Sequence, residues 1–137
     1  MSCWAVDSFG NDDAADWVAA LVDQTDSGLV DEAIADVLNT SGYLEAPSAS
    51  QALAAIEVLA AILHRPSLAL LQNEQLVEWV RDQGQTVSPQ QRTSAIAAID
   101  RIIGDESELR ELWEESEEFG DWKKIIADLR LRLTVDR

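Results

Sequence analysis

The feature that most constrains this chain is the stretch Ala52–Leu63, twelve residues that are apolar apart from Glu57. A helix that is apolar nearly all round belongs at the centre of a fold, with other helices laid around it. Its five alanines, Ala52, Ala54, Ala55, Ala60 and Ala61, allow those neighbours to approach closely. The run is too short for a bilayer span, which needs ~20 residues. Pro47 followed by Ser48-Ala49-Ser50-Gln51 reads as the entry, a capping box with Ser48 as cap and Gln51 reaching back. Pro66 ends it.

The rest of the chain repeats apolar residues at helical spacing, and no alternating β-branched run reads as a strand. Asn11 is a good N-cap for a first helix with the stripe Ala14, Trp17, Val18, Leu21 and Val22. Asp12 and Asp13 fall in its first turn, where the helix dipole favours anions. A second helix over 29–40 is expected to bury Ile34, Val37 and Leu38 and to stop at Gly42. After Pro66 the sequence reads as a loop, then as a helix over 74–83 with Leu76, Val77, Trp79 and Val80. Ser88-Pro89-Gln90-Gln91 is a second capping box, with proline at the first helical position. It opens a helix burying Ala95, Ile96, Ile99, Ile102 and Ile103. Asp105 is expected to cap the next helix, with Leu109, Leu112 and Trp113. The last carries Trp122, Ile125, Ile126, Leu129 and Leu133, with Lys123, Lys124, Arg130 and Arg132 between them. The expected fold is all-α: a single domain over 1–137, with six to seven short helices bundled around the alanine-rich one. Residues 1–11 would form an N-terminal aromatic hook.

Charge bounds the function. Ten basic residues face 26 acidic ones, a net charge of −16. Nucleic-acid binding rests on Lys and Arg neutralising phosphates, so a general nucleic-acid binder is excluded, and docking on an anionic membrane is disfavoured. The first basic residue is Arg65, so the first half is purely acidic. The start, Met1-Ser2-Cys3-Trp4-Ala5-Val6-Asp7, lacks the basic and apolar regions of a signal peptide, which points to the cytoplasm. A lone cysteine excludes an intramolecular disulfide framework, and one His with one Cys excludes a His/Cys metal cluster. No phosphate loop, nucleophile elbow or dinucleotide fingerprint is present.

Several side chains invite a chemical reading, and each has a plainer one. Asn11, Asp12 and Asp16 offer oxygen ligands, but the alternating spacing of a calcium loop is missing and capping accounts for the first two. His64 has no carboxylate placed on its helix face to orient it as a base; Glu57 lies two turns away. Glu114, Glu115, Glu117, Glu118 and Asp121 crowd acids between two helices, where solvent rather than a catalytic dyad is expected. Four tryptophans, Trp17, Trp79, Trp113 and Trp122, fall on apolar stripes and read as core. Trp4 and Phe9 read as rings packed back on the core, ordering the hook with Asn11, Asp12, Asp16 and Trp17.

Both ends of the chain are also familiar. The string Trp4-x4-Phe9-x-Asn11-Asp12-x-Ala14-x-Asp16-Trp17 resembles the opening of a family of small bacterial proteins of unknown function. Near the other end, Ser107-Glu108-Leu109-x2-Leu112-Trp113, Phe119-x2-Trp122 and Asp128-Leu129-x2-Arg132-Leu133 resemble the same family's C-terminal pattern, and with the alanine-rich helix ending at His64-Arg65-Pro66 the resemblance covers nearly the whole chain. Ser2, Ala5, Asp7 and Ser8 stand where that family usually has glycines and a proline. The resemblance implies a shared fold and a bacterial origin; it carries no activity, substrate or cofactor.

The function expected is therefore a non-enzymatic intracellular binding protein. Its acidic face, Asp31, Glu32 and Asp36 together with Glu114, Glu115, Glu117 and Glu118, would engage a basic protein partner. An immunity protein or antitoxin for a basic toxin is one concrete form, since opposed charge speeds association. No catalytic residue, cofactor or metal is assigned. The alternatives are a small carboxylate- or metal-dependent hydrolase, and a structural homodimer.

Overall fold

The computed structural model describes residues 11–24, 28–83 and 86–134. These form eight helices: α1 (Asp12–Val22), α2 (Gly28–Asn39), α3 (Ala46–Ile62), α4 (Leu68–Leu71), α5 (Glu74–Gln83), α6 (Pro89–Ile102), α7 (Glu108–Glu114) and α8 (Phe119–Thr134). The architecture is all-α, with one or two more helices than the periodicity predicts. The addition is α4, a single turn capped by Ser67, whose hydroxyl accepts from the Leu70 amide at 3.1 Å. Four residues are too few to show a helical period, so it reads as loop in the sequence.

The alanine-rich helix is the axis of the fold. α3 packs against every other helix, and residues 52–62 are buried without a break. Alanine makes this possible, because a small side chain lets several helix axes come close at once. The entry to α3 differs from expectation. The helix begins at Ala46, two residues before Ser48, with Pro47 inside its first turn, where a missing amide proton costs nothing. Its cap comes from a distant helix: Glu108 Oε1 of α7 accepts from the Ala46 amide at 2.8 Å. Beside it Leu44 and Ser107 form an isolated parallel bridge, with Leu44 N donating to Glu106 O and Glu108 N donating to Leu44 O, both at 2.8 Å.

α3 ends in a Schellman motif. His64 N donates to Ala61 O at 2.9 Å and Arg65 N to Ala60 O at 2.8 Å, and His64 takes the left-handed position with φ +69°. The other local signals are mostly realised. Asn11 Oδ1 accepts from Ala14 N at 2.9 Å. Ser88 and Gln91 form the reciprocal capping box, at 3.0 and 2.9 Å, with Pro89 opening the helix.

Three details are corrected. α2 ends at Asn39, and Gly42, with φ +80°, turns the following loop rather than the helix end. α7 is capped by Ser107, not Asp105. Asp105 and Glu106 stay in the loop because Arg101 Nη1 holds both their carbonyls at 3.2 Å while its Nη2 donates to the Gly42 carbonyl. Finally, Leu38 and Leu112 are 41% and 42% exposed. In α2 the buried arc is filled by Val30, Ala33, Ile34 and Val37, and Leu38 falls at its edge.

Candidate functional site

The acidic residues lie where helical phase puts them. Asp31, Glu32 and Asp36 are exposed on α2, and Glu114, Glu115, Glu117 and Glu118 are exposed at the α7–α8 corner. The two groups belong to different sides of the packing: α2 lies on α3 and α6, α7 on α3 and α8. Cations touch them unequally. Glu114 pairs with Arg110 at 3.3 Å across one helical turn. Asp31 accepts a hydrogen bond from the neutral Gln91 amide at 3.0 Å. Among the described residues no ion pair reaches Asp31, Glu32, Asp36, Glu115, Glu117 or Glu118. α1, α2 and α3 contain no lysine or arginine at all, so the surface of α1 and α2 carries a single sign of charge.

The hook residues separate. Trp4 and Phe9 lie outside the described residues, as does Cys3. Asn11 caps α1, Asp12 and Asp16 are exposed, and Trp17 is buried against the core. Trp113 and Trp122 stack with centroids 6.2 Å apart, and Phe119 stacks on Trp122 at the same distance. Lys123 Nζ sits over the Phe119 ring, 4.7 Å from its centroid.

One charged cluster is buried, and the sequence hides it. Glu57, the single charge in the apolar run, is 1% exposed. Arg132 of α8 reaches it with Nη1 to Oε1 at 3.1 Å and Nη2 to Oε2 at 3.3 Å. Arg132 Nε also donates to Asp128 at 2.9 Å. Two arginines then cross: Arg132 Nη1 donates to the Arg65 carbonyl at 2.9 Å, and Arg65 Nη1 to the Arg132 carbonyl at 3.0 Å. Burial by itself would lower the Arg132 pKa. The hydrogen bond to Glu57 and the charges of Glu57 and Asp128 outweigh it and raise the pKa, so the guanidinium stays charged. Glu57 is thus committed to a fork-on-fork pair that ties α3 to α8. Helical phase places Arg132 among outward cations, and a partner 75 positions away leaves no local signal.

A second polar cluster joins loop to helix. Tyr43 Oη donates to Glu111 Oε1 at 2.6 Å. The phenol pKa is pushed up to about 12, first by that hydrogen bond, then by partial desolvation and by the charges of Glu111, Glu108 and Glu45.

The grooves on the described surface include two with an apolar wall beside polar groups. One, of about 290 Å³, runs between α2 and the start of α6 and includes Asp31, Ile34, Ala35, Leu38, Gln90 and Ser94. The other, of about 560 Å³, is mainly apolar and lies between the end of α3, α4 and α5, with His64, Leu70, Leu71 and Val80 among its walls. The exposed His64 has no carboxylate bonded to it among the described residues, and no group of three or more His, Cys, Asp or Glu there is placed to hold a metal ion. No described helix is long and apolar enough to cross a membrane.

The chain belongs to the family described as Domain of unknown function (DUF4259), whose profile matches residues 2–125. The match takes in α1 through the first turns of α8, including Glu57 and Arg65, and stops short of Asp128 and Arg132. No curated protein and no solved structure matches the chain.

Proposed function

We propose that this member of the DUF4259 family is a binding protein whose acidic surface engages a basic protein partner. The observation that carries the reading is the charge on α1 and α2, which no ion pair neutralises among the described residues. Asp12, Asp16, Asp31, Glu32 and Asp36 are exposed on two helices without a single cation. Such a surface holds a sustained negative potential that steers a basic protein into encounter and repels acidic competitors. The buried acid Glu57, by contrast, is taken up by Arg132, and the Tyr43 phenol by Glu111, so the first holds two helices together and the second ties a loop to a helix. An immunity protein or antitoxin bound to a basic toxin is one form of this activity, in which tight and fast capture matters more than chemistry. The test is affinity capture with the full chain as bait, at low and then at raised salt. A partner of net positive charge that is released as salt rises is expected; a net acidic partner, or capture indifferent to salt, contradicts the reading.

A further inference from the structure

The groove between α2 and α6 gives that surface a shape. Asp31 of α2 meets Gln91 of α6, and the Gly42 carbonyl just past α2 meets Arg101 at the end of α6. Eleven residues lead from Asp31 to Gly42 and ten from Gln91 to Arg101, both in the same chain direction, so α2 and α6 run side by side in the same sense with a furrow between them. Ile34, Ala35 and Leu38 form its apolar side, and Gln90 and Ser94 its polar side. Leu38 is exposed there, although it is a large apolar residue. Asp31, Ala35 and Leu38 recur at helical spacing along the rim, and Glu32 and Asp36 occupy the adjoining row. Among the described residues the only charged group in the lining is Asp31, and α2 supplies no cation.

We infer that this groove receives an arginine side chain from the basic partner, an assignment that rests on the reading above. At about 290 Å³ it falls just short of the ~300–1,000 Å³ of small-molecule sites and is too small for a helix. Arginine matches its two halves. The aliphatic stem lies on Ala35 and Leu38, and the guanidinium forks onto the Asp31 carboxylate with Glu32 and Asp36 adding field. The amide oxygen of Gln90 and the Ser94 hydroxyl can accept its remaining protons.

The probe is a short synthetic peptide alternating arginine and leucine, titrated into the isotope-labelled full chain and followed by amide chemical shifts. A second peptide carries glutamate in place of arginine. Shifts concentrated at Asp31, Ala35, Leu38 and Ser94 with the first peptide alone are expected. Asp31→Asn keeps an oxygen for Gln91 but removes the charge, and Leu38→Ser removes the apolar wall at an exposed position, so neither should disturb folding. Each should weaken peptide binding about tenfold, the loss of one good contact. Shifts confined to the Glu114–Glu118 corner, or affinity unchanged in both variants, overturn the groove while leaving an acidic-surface partner intact. Equal binding of the glutamate peptide overturns the assignment of a cation. Absence of any shift at the groove overturns it as well, and the charge and salt response of the captured partner then judge the broader reading separately.

Discussion

Arg132 grips Glu57 through both guanidinium nitrogens, at 3.1 and 3.3 Å, and so ties the last turn of α8 to the middle of the central helix. Removing one partner takes the bidentate pair away from a charge that stays in the core, which costs ~3–5 kcal/mol in comparable buried pairs. Arg132→Met should therefore lower the urea midpoint by an amount corresponding to about 3 kcal/mol. Glu57→Leu combined with Arg132→Met should recover most of that loss, because an apolar pair needs no desolvation of charge. Equilibrium denaturation of the single and double variants checks both; a double variant weaker than the single would show that the pair contributes stability beyond mutual neutralisation.

The central position of α3 predicts a harsher outcome at its interior. Ala54 and Leu59 are wholly enclosed by surrounding helices. Ala54→Asp or Leu59→Asp places an unpaired charge there, at a cost of several kcal/mol set against a typical total stability of ~5–15 kcal/mol. Loss of the cooperative melt, read by circular dichroism, is expected for both. Native-like melting of either would remove α3 from the centre of the fold.

Much of this fold is legible in the residues themselves, and the exceptions have a common cause. Asn11, Ser88 and Gln91 act within their own helices, so local sequence reveals them. The Ala52–Leu63 run announces a core helix because no face of it can be offered to water. What escapes is non-local. Glu108 caps α3 from 62 residues away, which displaces the N-cap position from Ser48 to Glu45. Arg101 gathers the carbonyls of Gly42, Asp105 and Glu106, which shifts the α7 cap to Ser107. Of the candidate site, the exposure of the acids follows from helical phase; the groove does not, because its key residue, Leu38, carries the same apolar signal as the core beside it.

Tyr43 offers a pH test with one chromophore of its kind, since the chain has a single tyrosine. Its phenol should titrate at about 12 in the folded protein, against ~10 when unfolded. The unfolded chain then releases this proton first, so the contribution to stability is complete below pH ~10 and is lost as pH rises through the folded value. Absorbance titration of the phenolate checks the pKa. Glu111→Gln, which removes the charged acceptor, should bring it back toward the ordinary value; an unchanged titration would mean that the hydrogen bond is not formed in solution.

Ser50 is the one described residue whose buried side-chain oxygen has no hydrogen-bond partner. Leaving a hydroxyl unsatisfied costs ~1–3 kcal/mol, and alanine also has the higher helix propensity. Ser50→Ala should thus raise the melting temperature by several degrees, the shift expected for ~1 kcal/mol in a domain of this size. A lower melting temperature in the variant would place an unseen partner at that oxygen.

The central claim is that exposed acids on this protein recognise a basic partner by charge. Its most direct measurement is the association rate of the captured partner at low and at physiological salt, for the parent chain and two charge-reversed variants. One variant carries Asp31→Lys, Glu32→Lys and Asp36→Lys; the other carries Glu114→Lys, Glu115→Lys, Glu117→Lys and Glu118→Lys. All seven positions are exposed, so both variants should remain folded. The screening length shrinks from ~30 Å at ~0.01 M salt to ~8 Å at physiological ionic strength, so the parent rate should fall steeply with salt. The α2 reversals should slow association at least tenfold at low salt, and the α7–α8 reversals should do so less, because Glu114 is already paired with Arg110. A rate insensitive to salt and to both sets of reversals would contradict the account and leave the negative charge without a role in recognition.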